Sequence, residues 1–413
     1  MSYLQALRCR GCGNEVPVAV AHVCERCFGP LEATFDYDAM AGVVTSASIA
    51  RGPATLWRYR DLLPLPDGAP VDPVHLGGGL TPLVRAPRLG EALGLDDLWL
   101  KNDTVNPTWS FKDRVVTVAL TAARAFGFST VACASTGNLA NSVAAHAAAA
   151  GLDAYVFIPS DLEQTKILAS AVYGPQLVAV KGTYDDVNRL SSEVADEYGW
   201  GFVNVNLRPF YAEGSKTIGF EIAEQLGWRV PDQVVAPMAS GSMMIKIDKA
   251  FGELTKIGLV PERGWKMFGA QALGCSPIAK AFADGVDDPT PVRPDTIAKS
   301  LAIGHPADGA PALAVARRTG GAMDVATDPE ITEGMRLLAR TEGIFAETAG
   351  GVTVAVLRKL VTSGRLDPTA RTVAVISGNG LKTVDAVPGG PTFTVAPSLD
   401  DFEEAAGLTP AAA

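Results

Sequence analysis

Two sets of side chains in this 413-residue chain are spaced for chemistry. One is Lys112, in the run Asn106-Pro107-Thr108-Trp109-Ser110-Phe111-Lys112-Asp113-Arg114; the other is Cys9, Cys12, Cys24 and Cys27. Lys112 directly follows an aromatic residue at the mouth of an expected helix. Partial desolvation there would lower the amine's proton affinity and let it attack an aldehyde, as Schiff-base lysines do. On spacing alone, a charged first helical turn, Lys112-Asp113-Arg114, is the simpler reading. The cysteines form two Cys-x2-Cys knuckles separated by eleven residues. Such a pair can bring four thiolates around one tetrahedral zinc, which staples a segment too small for its own core. Gly11, Gly13 and Gly29 suit the turns of such knuckles. Four thiolates leave no open coordination position, so the zinc implied is structural, with a metal-free remnant as the alternative. Disulfides do not suit a cytosolic setting.

Three other stretches carry polar groups where a strand should run into a helix. Ser135-Thr136-Gly137-Asn138 offers hydroxyls, an amide and free backbone N–H groups, a set suited to a carboxylate or other small anion, and equally an ordinary helix N-cap. Met238-Ala239-Ser240-Gly241-Ser242-Met243 lets backbone amides approach a phosphate at a helix start. It has neither a dinucleotide fingerprint nor the lysine of a nucleoside-triphosphate loop, so a single phosphate monoester is the better ligand. Ser377-Gly378-Asn379-Gly380-Leu381-Lys382-Thr383 sets a hydroxyl at a strand end, able to reach a planar ring nitrogen, or forms only a Gly-rich turn.

The elements that would position these groups alternate along the chain. Apolar runs 98–101, 130–134, 154–158, 201–205, 234–237 and 372–376 read as strands. Helical periodicity marks 115–126, 185–198, 215–226, 244–251 and 352–360. Short apolar strands alternating with helices predict an α/β fold with parallel sheets covered on both faces. Ligands in such sheets bind where strands end and helices begin. A Pro- and Gly-rich stretch, 62–83, reads as an irregular entry to this body, and the tail beyond Pro388 as peripheral. With 47% hydrophobic and 19% charged residues the chain is globular, and its net charge of −10 speaks against nucleic acid or an anionic membrane as partner. The start shows no secretory signal and the Ala-rich run 143–150 is too short for a bilayer, so a cytoplasmic protein is expected.

In order and spacing, Thr81-Pro82-Leu83, the 106–114 run, Ala134-Ser135-Thr136-Gly137-Asn138, the 239–243 loop and Ser377-Gly378-Asn379-Gly380-Leu381-Lys382 resemble the threonine synthases, within the fold type II (tryptophan-synthase-β-like) enzymes that use pyridoxal 5'-phosphate. Thr296-Ile297-Ala298-Lys299-Ser300-Leu301-Ala302-Ile303-Gly304-His305-Pro306 looks like the segment that marks threonine synthases among their relatives. Cysteine knuckles precede the catalytic body in some members.

The resemblance implies two doubly wound α/β domains with the active site between them, behind a small zinc-ribbon-like module. We expect the module at 1–35, a large cofactor-binding domain from 36–104 and 212–390, a smaller domain at 105–211 carrying Lys112, and a tail at 391–413. It implies that Lys112 forms the internal aldimine and later shuttles the Cα proton, with Phe111 near the ring face. Asn138 would bond the phenolic oxygen of the cofactor and Ser377 its pyridine nitrogen. Backbone amides of Ala239, Ser240, Gly241, Ser242 and Met243 would cradle its phosphate. Ser135 and Thr136 would hold the substrate carboxylate, and Asn206 and Arg208 the substrate phosphate. The implied reaction takes O-phospho-L-homoserine and water to L-threonine and phosphate, in a homodimer. Trp109 stands where the family has glycine, His305 where asparagine is usual, and Phe210-Tyr211 where an arginine is expected. These departures keep open a related β-replacement or elimination on O-phosphoserine or another activated amino acid, as in a cysteate synthase or a dehydratase. A non-catalytic zinc-ribbon binding protein is the reading from another class, and the joint presence of Lys112, Asn138 and Ser377 speaks against it.

Overall fold

The computed structural model describes residues 2–70, 74, 76–135, 137–160, 164–181 and 184–408. Its strands, in chain order, are β1 Leu4–Cys9, β2 Glu15–Val16, β3 Leu31–Phe35, β4 Leu83–Arg85, β5 Leu98–Asn102, β6 Thr130–Ala134, β7 Asp153–Pro159, β8 Gln176–Val180, β9 Gly201–Phe202, β10 Gln233–Pro237, β11 Lys266–Ala272, β12 Met323–Ala326 and β13 Thr372–Ile376. They form three sheets, ordered β2-β1-β3, β12-β11-β10-β13-β5-β4 and β8-β7-β6-β9. The first is antiparallel; the other two are parallel except for the edge strand β4, which runs antiparallel to β5. The expected α/β architecture is therefore what the chain adopts.

Burial on both faces explains why the central strands are apolar throughout. Every residue of β10 and of β13 is buried, as parallel strands covered by helices require. The strands β11 and β12 are not evident in the sequence, because Gly269, Gln271 and Asp324 break their apolar runs. The expected strand 201–205 stops at Phe202. There the chain turns back, with the N–H groups of Val205 and Leu207 both donating to the Phe202 carbonyl at 3.1 Å. Residues 389–408 are mostly exposed, and the helix Leu399–Ala406 among them buries none of its side chains. Among the described residues no helix is long and apolar enough to cross a membrane.

Seven helices position the groups of interest: α1 Lys112–Ala125, α2 Asn138–Ala150, α3 Arg208–Glu213, α4 Lys216–Gln225, α5 Ser242–Lys256, α6 Gly309–Thr319 and α7 Thr348–Thr362. Two buried ionic clusters lock four of them, α1, α3, α4 and α5, to one another and to the sheets. In the first, the fully buried Arg114 of α1 bonds Asp103 at 2.7 and 2.8 Å, Glu221 of α4, Thr217 and Thr81, while Lys101 of β5 pairs with Glu221 at 2.6 Å. In the second, Glu213 at the end of α3 meets Lys216, Lys246 and Lys249, and Lys246 also pairs with Glu32 of β3. This second cluster fastens the N-terminal sheet to α5.

These clusters predict acid sensitivity. Burial alone would raise the Glu221 carboxyl, but Arg114 and Lys101 outweigh it and hold the group at about 2; Lys246 and Lys249 likewise outweigh burial and hold Glu32 at about 2. Unfolding returns both to about 4.5. Their contribution to stability is therefore fully present above about pH 4.5 and is lost as pH falls toward 2. Urea unfolding across that window should show a falling midpoint. A midpoint unchanged between about pH 5 and about pH 3 would contradict the assignment.

Candidate active site

Lys112 opens α1, half-buried, and its orientation is fixed by what precedes it. Asp113, fully buried, accepts from the Thr108 N–H at 2.7 Å, the Thr108 hydroxyl at 2.6 Å and the Ser142 hydroxyl of α2 at 2.7 Å. The same loop is pinned to the end of β13: the Phe111 N–H donates to the Ser377 carbonyl at 2.9 Å, and the Asn379 N–H to the Trp109 carbonyl at 2.9 Å. Two of the sequence-selected segments thus meet directly. The Lys112 ammonium lies 2.8 Å from the Tyr211 hydroxyl of α3 and 4.6 Å from the centroid of the Phe111 ring. Trp109 adopts a left-handed backbone, φ 64°, and its side chain is half exposed. That conformation is one a glycine takes without strain.

Glu347, the residue just before α7, joins two further segments. Its carboxylate accepts from the Asn138 amide at 2.9 Å and from the Ser377 hydroxyl at 3.5 Å. The group is buried, and burial raises its pKa above the ordinary value even with Asn138, Lys382 and Lys112 acting the other way. Glycine at 378 leaves this carboxylate its room, since a Cβ there would overlap it and push it aside. Ser135 accepts from the Gly137 N–H at 3.3 Å. Thr136, expected beside it, lies outside the described residues.

The 239–243 loop runs from β10 into α5. Gly241 sits at φ 96°, and a Cβ there would lie 2.8 Å from the Ala312 Cβ and 3.0 Å from the Asp308 carbonyl. Among the described residues, the one N–H of this turn with a partner is that of Ser242, 3.4 Å from the Ser240 hydroxyl. The turn therefore presents a cluster of N–H groups at a helix start, a ready anion cradle. Asp308, at the start of α6, accepts from Ser240 at 3.3 Å and from Arg208 at 3.0 Å. Arg208 and Tyr211 are three residues apart and share one face of α3. Helix α3 thus meets two polar groups of the site, the loop through Arg208, Asp308 and Ser240, and Lys112 through Tyr211.

Asn206 serves a different purpose from the one expected. Its carbonyl accepts from the Phe202 N–H at 2.8 Å and its amide donates to the Trp200 carbonyl at 2.9 Å. Both ends are spent in closing the turn after β9. The structure brings Glu347, Asp308 and Tyr211 against the sequence-selected groups; of these the sequence marks only Tyr211, as a departure from the family's pattern. Glu347 carried a signal, an acidic residue immediately ahead of Thr348-Ala349-Gly350-Gly351; Asp308 carried none.

Pyridoxal phosphate fits these residues. A half-buried amine faces a buried carboxylate site, the N–H cradle matches its phosphate, and the buried hydroxyls of Ser110 and Thr348 lack a partner among the described residues. At the N-terminus, the four sulfurs of Cys9, Cys12, Cys24 and Cys27 all lie within 4.8 Å of one another. Cys9 and Cys27 are 3.4 Å apart, Cys12 and Cys24 3.7 Å. Tetrahedral zinc with bonds of about 2.3 Å requires sulfur edges of about 3.8 Å, so the set fits. The Cys12 backbone N–H holds the Cys9 thiol down to about 6.

The model of the family described as "Pyridoxal-phosphate dependent enzyme" matches residues 74–378. A threonine synthase of Methanocaldococcus jannaschii is 39% identical, over 92% of this chain and 93% of its own length. One from Methanosarcina acetivorans is 36% identical, over 97% and 98%. Among solved structures, maize serine racemase superposes with a TM-score of 0.63 at 20% identity, covering 73% of this chain and 88% of its own. That last likeness speaks to the fold.

Proposed function

The chain belongs to the threonine synthases among the pyridoxal-phosphate dependent enzymes, and from that premise we propose that it converts O-phospho-L-homoserine and water to L-threonine and phosphate. It is a lyase acting on a phosphate ester. The observation that carries the reading at the level of this chain's residues is that one helix, α3, meets Lys112 through Tyr211 and, through Arg208 and Asp308, meets Ser240 of the anion cradle.

When bound, pyridoxal phosphate supplies the electron sink that acidifies the substrate's Cα and Cβ positions. The protein's own groups then do the rest. Lys112 would hold the cofactor and move the proton at Cα, its amine kept in line by the Tyr211 hydroxyl. The 239–243 amides would take the cofactor phosphate, Asn138 and Ser377 the polar edges of the ring, and Phe111 a ring face. Ser135, with Thr136, would receive the substrate carboxylate. Arg208 would take the departing phosphate, exchanging Asp308 for the new anion.

The finer features belong to the same proposal. The module 1–35 carries one structural zinc on Cys9, Cys12, Cys24 and Cys27. A large domain from 36–104 and 212–390 and a smaller one at 105–211 enclose the site, the tail spans 391–413, and the enzyme works as a cytoplasmic homodimer. Metal analysis of protein purified without added zinc should give about one zinc per chain, and Cys9→Ser with Cys12→Ser should lose it and loosen residues 1–35. A zinc content of zero in the wild type would remove the ribbon.

Phosphate release with O-phosphohomoserine, set against O-phosphoserine, tests the reaction itself. A preference of about a hundredfold or more in kcat/KM for the homoserine ester is expected. Faster turnover of the serine ester, with its shorter reach to Arg208, would reassign the substrate to the β-replacement class.

A further inference from the structure

Arg10 lies inside the first cysteine knuckle, between Cys9 and Cys12, yet its guanidinium leaves the module and reaches the catalytic body. Its Nη1 is 3.5 Å from Asp308 Oδ1, on the opposite side of that carboxylate from the groups already described, Arg208 at 3.0 Å and Ser240 at 3.3 Å on Oδ2. The knuckle fixes the arginine's backbone, with its N–H donating to the Pro30 carbonyl at 3.0 Å beside the second knuckle. Asp308 is in turn pressed against the anion cradle, its carbonyl 3.0 Å from where a Gly241 Cβ would stand. A second tether runs in parallel: Glu32 of β3 pairs with Lys246, one turn into the helix that the cradle begins.

We propose that Arg10 is a positioning residue for the phosphate cradle, and that the four-cysteine knuckle sets cofactor affinity through the Arg10–Asp308 pair. The proposal rests on the reading of 239–243 as the phosphate site. An Asp308 carboxylate beside a phosphate dianion is repulsive unless cations offset it, and it is nearly buried, so water screens it poorly. Arg208 supplies one such charge and Arg10 the other. Without Arg10 the carboxylate repels the incoming dianion and is free to shift against Gly241. Release of the knuckle's metal would loosen the Arg10 backbone with the same result.

The test is an equilibrium titration of the full chain with pyridoxal phosphate, followed by absorbance, with thermal unfolding recorded on each sample. Arg10→Ala should weaken the dissociation constant about five- to tenfold, and Arg10→Lys should restore most of it. Removing the metal from the wild type should cost a similar factor, while removing it from Arg10→Ala should add less than about twofold, since the two act through one contact. Adding Asp308→Asn to Arg10→Ala should recover affinity, because the charge that needed Arg10 is gone; a purely structural arginine would show no such rescue. Unchanged affinity in Arg10→Ala, an undiminished metal effect in that variant, or no rescue by Asp308→Asn would each overturn the coupling. Wild-type protein that takes up no cofactor would sink the reading of the cradle itself, and this coupling with it.

Discussion

Lys112→Ala is expected to lower kcat/KM by on the order of a thousandfold or more, since a single group both anchors the cofactor and moves the proton. The absorbance near ~410 nm that a lysine-linked pyridoxal phosphate requires should vanish with it. The fold should survive, because the lysine is half-buried and touches the Tyr211 hydroxyl and the Phe111 and Tyr211 rings. Borohydride trapping with mass spectrometry checks the same point in the wild type, and should locate the cofactor on the peptide carrying residue 112. An adduct at another lysine, or normal turnover by the variant, would contradict the assignment. Tyr211→Phe separates anchoring from orientation: the chromophore should remain, with kcat reduced about tenfold or more and its pH profile altered.

Arg114→Ala carries the largest expected cost in stability, about 3–5 kcal/mol. The guanidinium is fully buried and bonds two carboxylates and two hydroxyls. Its removal leaves Asp103 buried without a cation while Glu221 keeps Lys101 alone. The urea midpoint should fall accordingly, and Arg114→Lys should recover only part, because an ammonium cannot span the two carboxylates as a planar fork does. A loss below about 1 kcal/mol would show that the cluster is not what holds α1 to the large sheet. Because Arg114 sits two residues beyond Lys112 on the same helix, milder substitutions there should also disturb cofactor binding.

The sites legible in the sequence were those whose chemistry is written in consecutive residues. Ser135 to Asn138, the 239–243 loop and Ser377 to Gly380 each combine small residues and hydroxyls at a strand end, and each stands at a strand-to-helix junction in the structure. Lys112 was legible because an isolated cation after an aromatic residue is unusual at a helix mouth. Asn206 shows the limit of such reasoning. A polar side chain in that loop suggests an anion ligand, while the turn after β9 uses both ends of its amide. Asp308 and Arg10 are not legible because nothing local distinguishes them from surface charges, and Glu347 carries only the faint signal of an acidic residue ahead of a run of small ones.

The amino-acid order alone set the alternation of strand and helix, through the apolar runs that two-sided burial demands, and it set the knuckle spacing and the family's ordered motifs. Tertiary packing alone decided which charges were taken out of water and with whom. Arg114 and Arg10 look alike as letters, two basic residues close to reactive side chains. One became the centre of a dry ionic cluster and the other a bridge from a cysteine knuckle to Asp308. The reason is physical: a buried charge is tolerated only where partners from distant segments converge on it, and that convergence is a property of the folded chain.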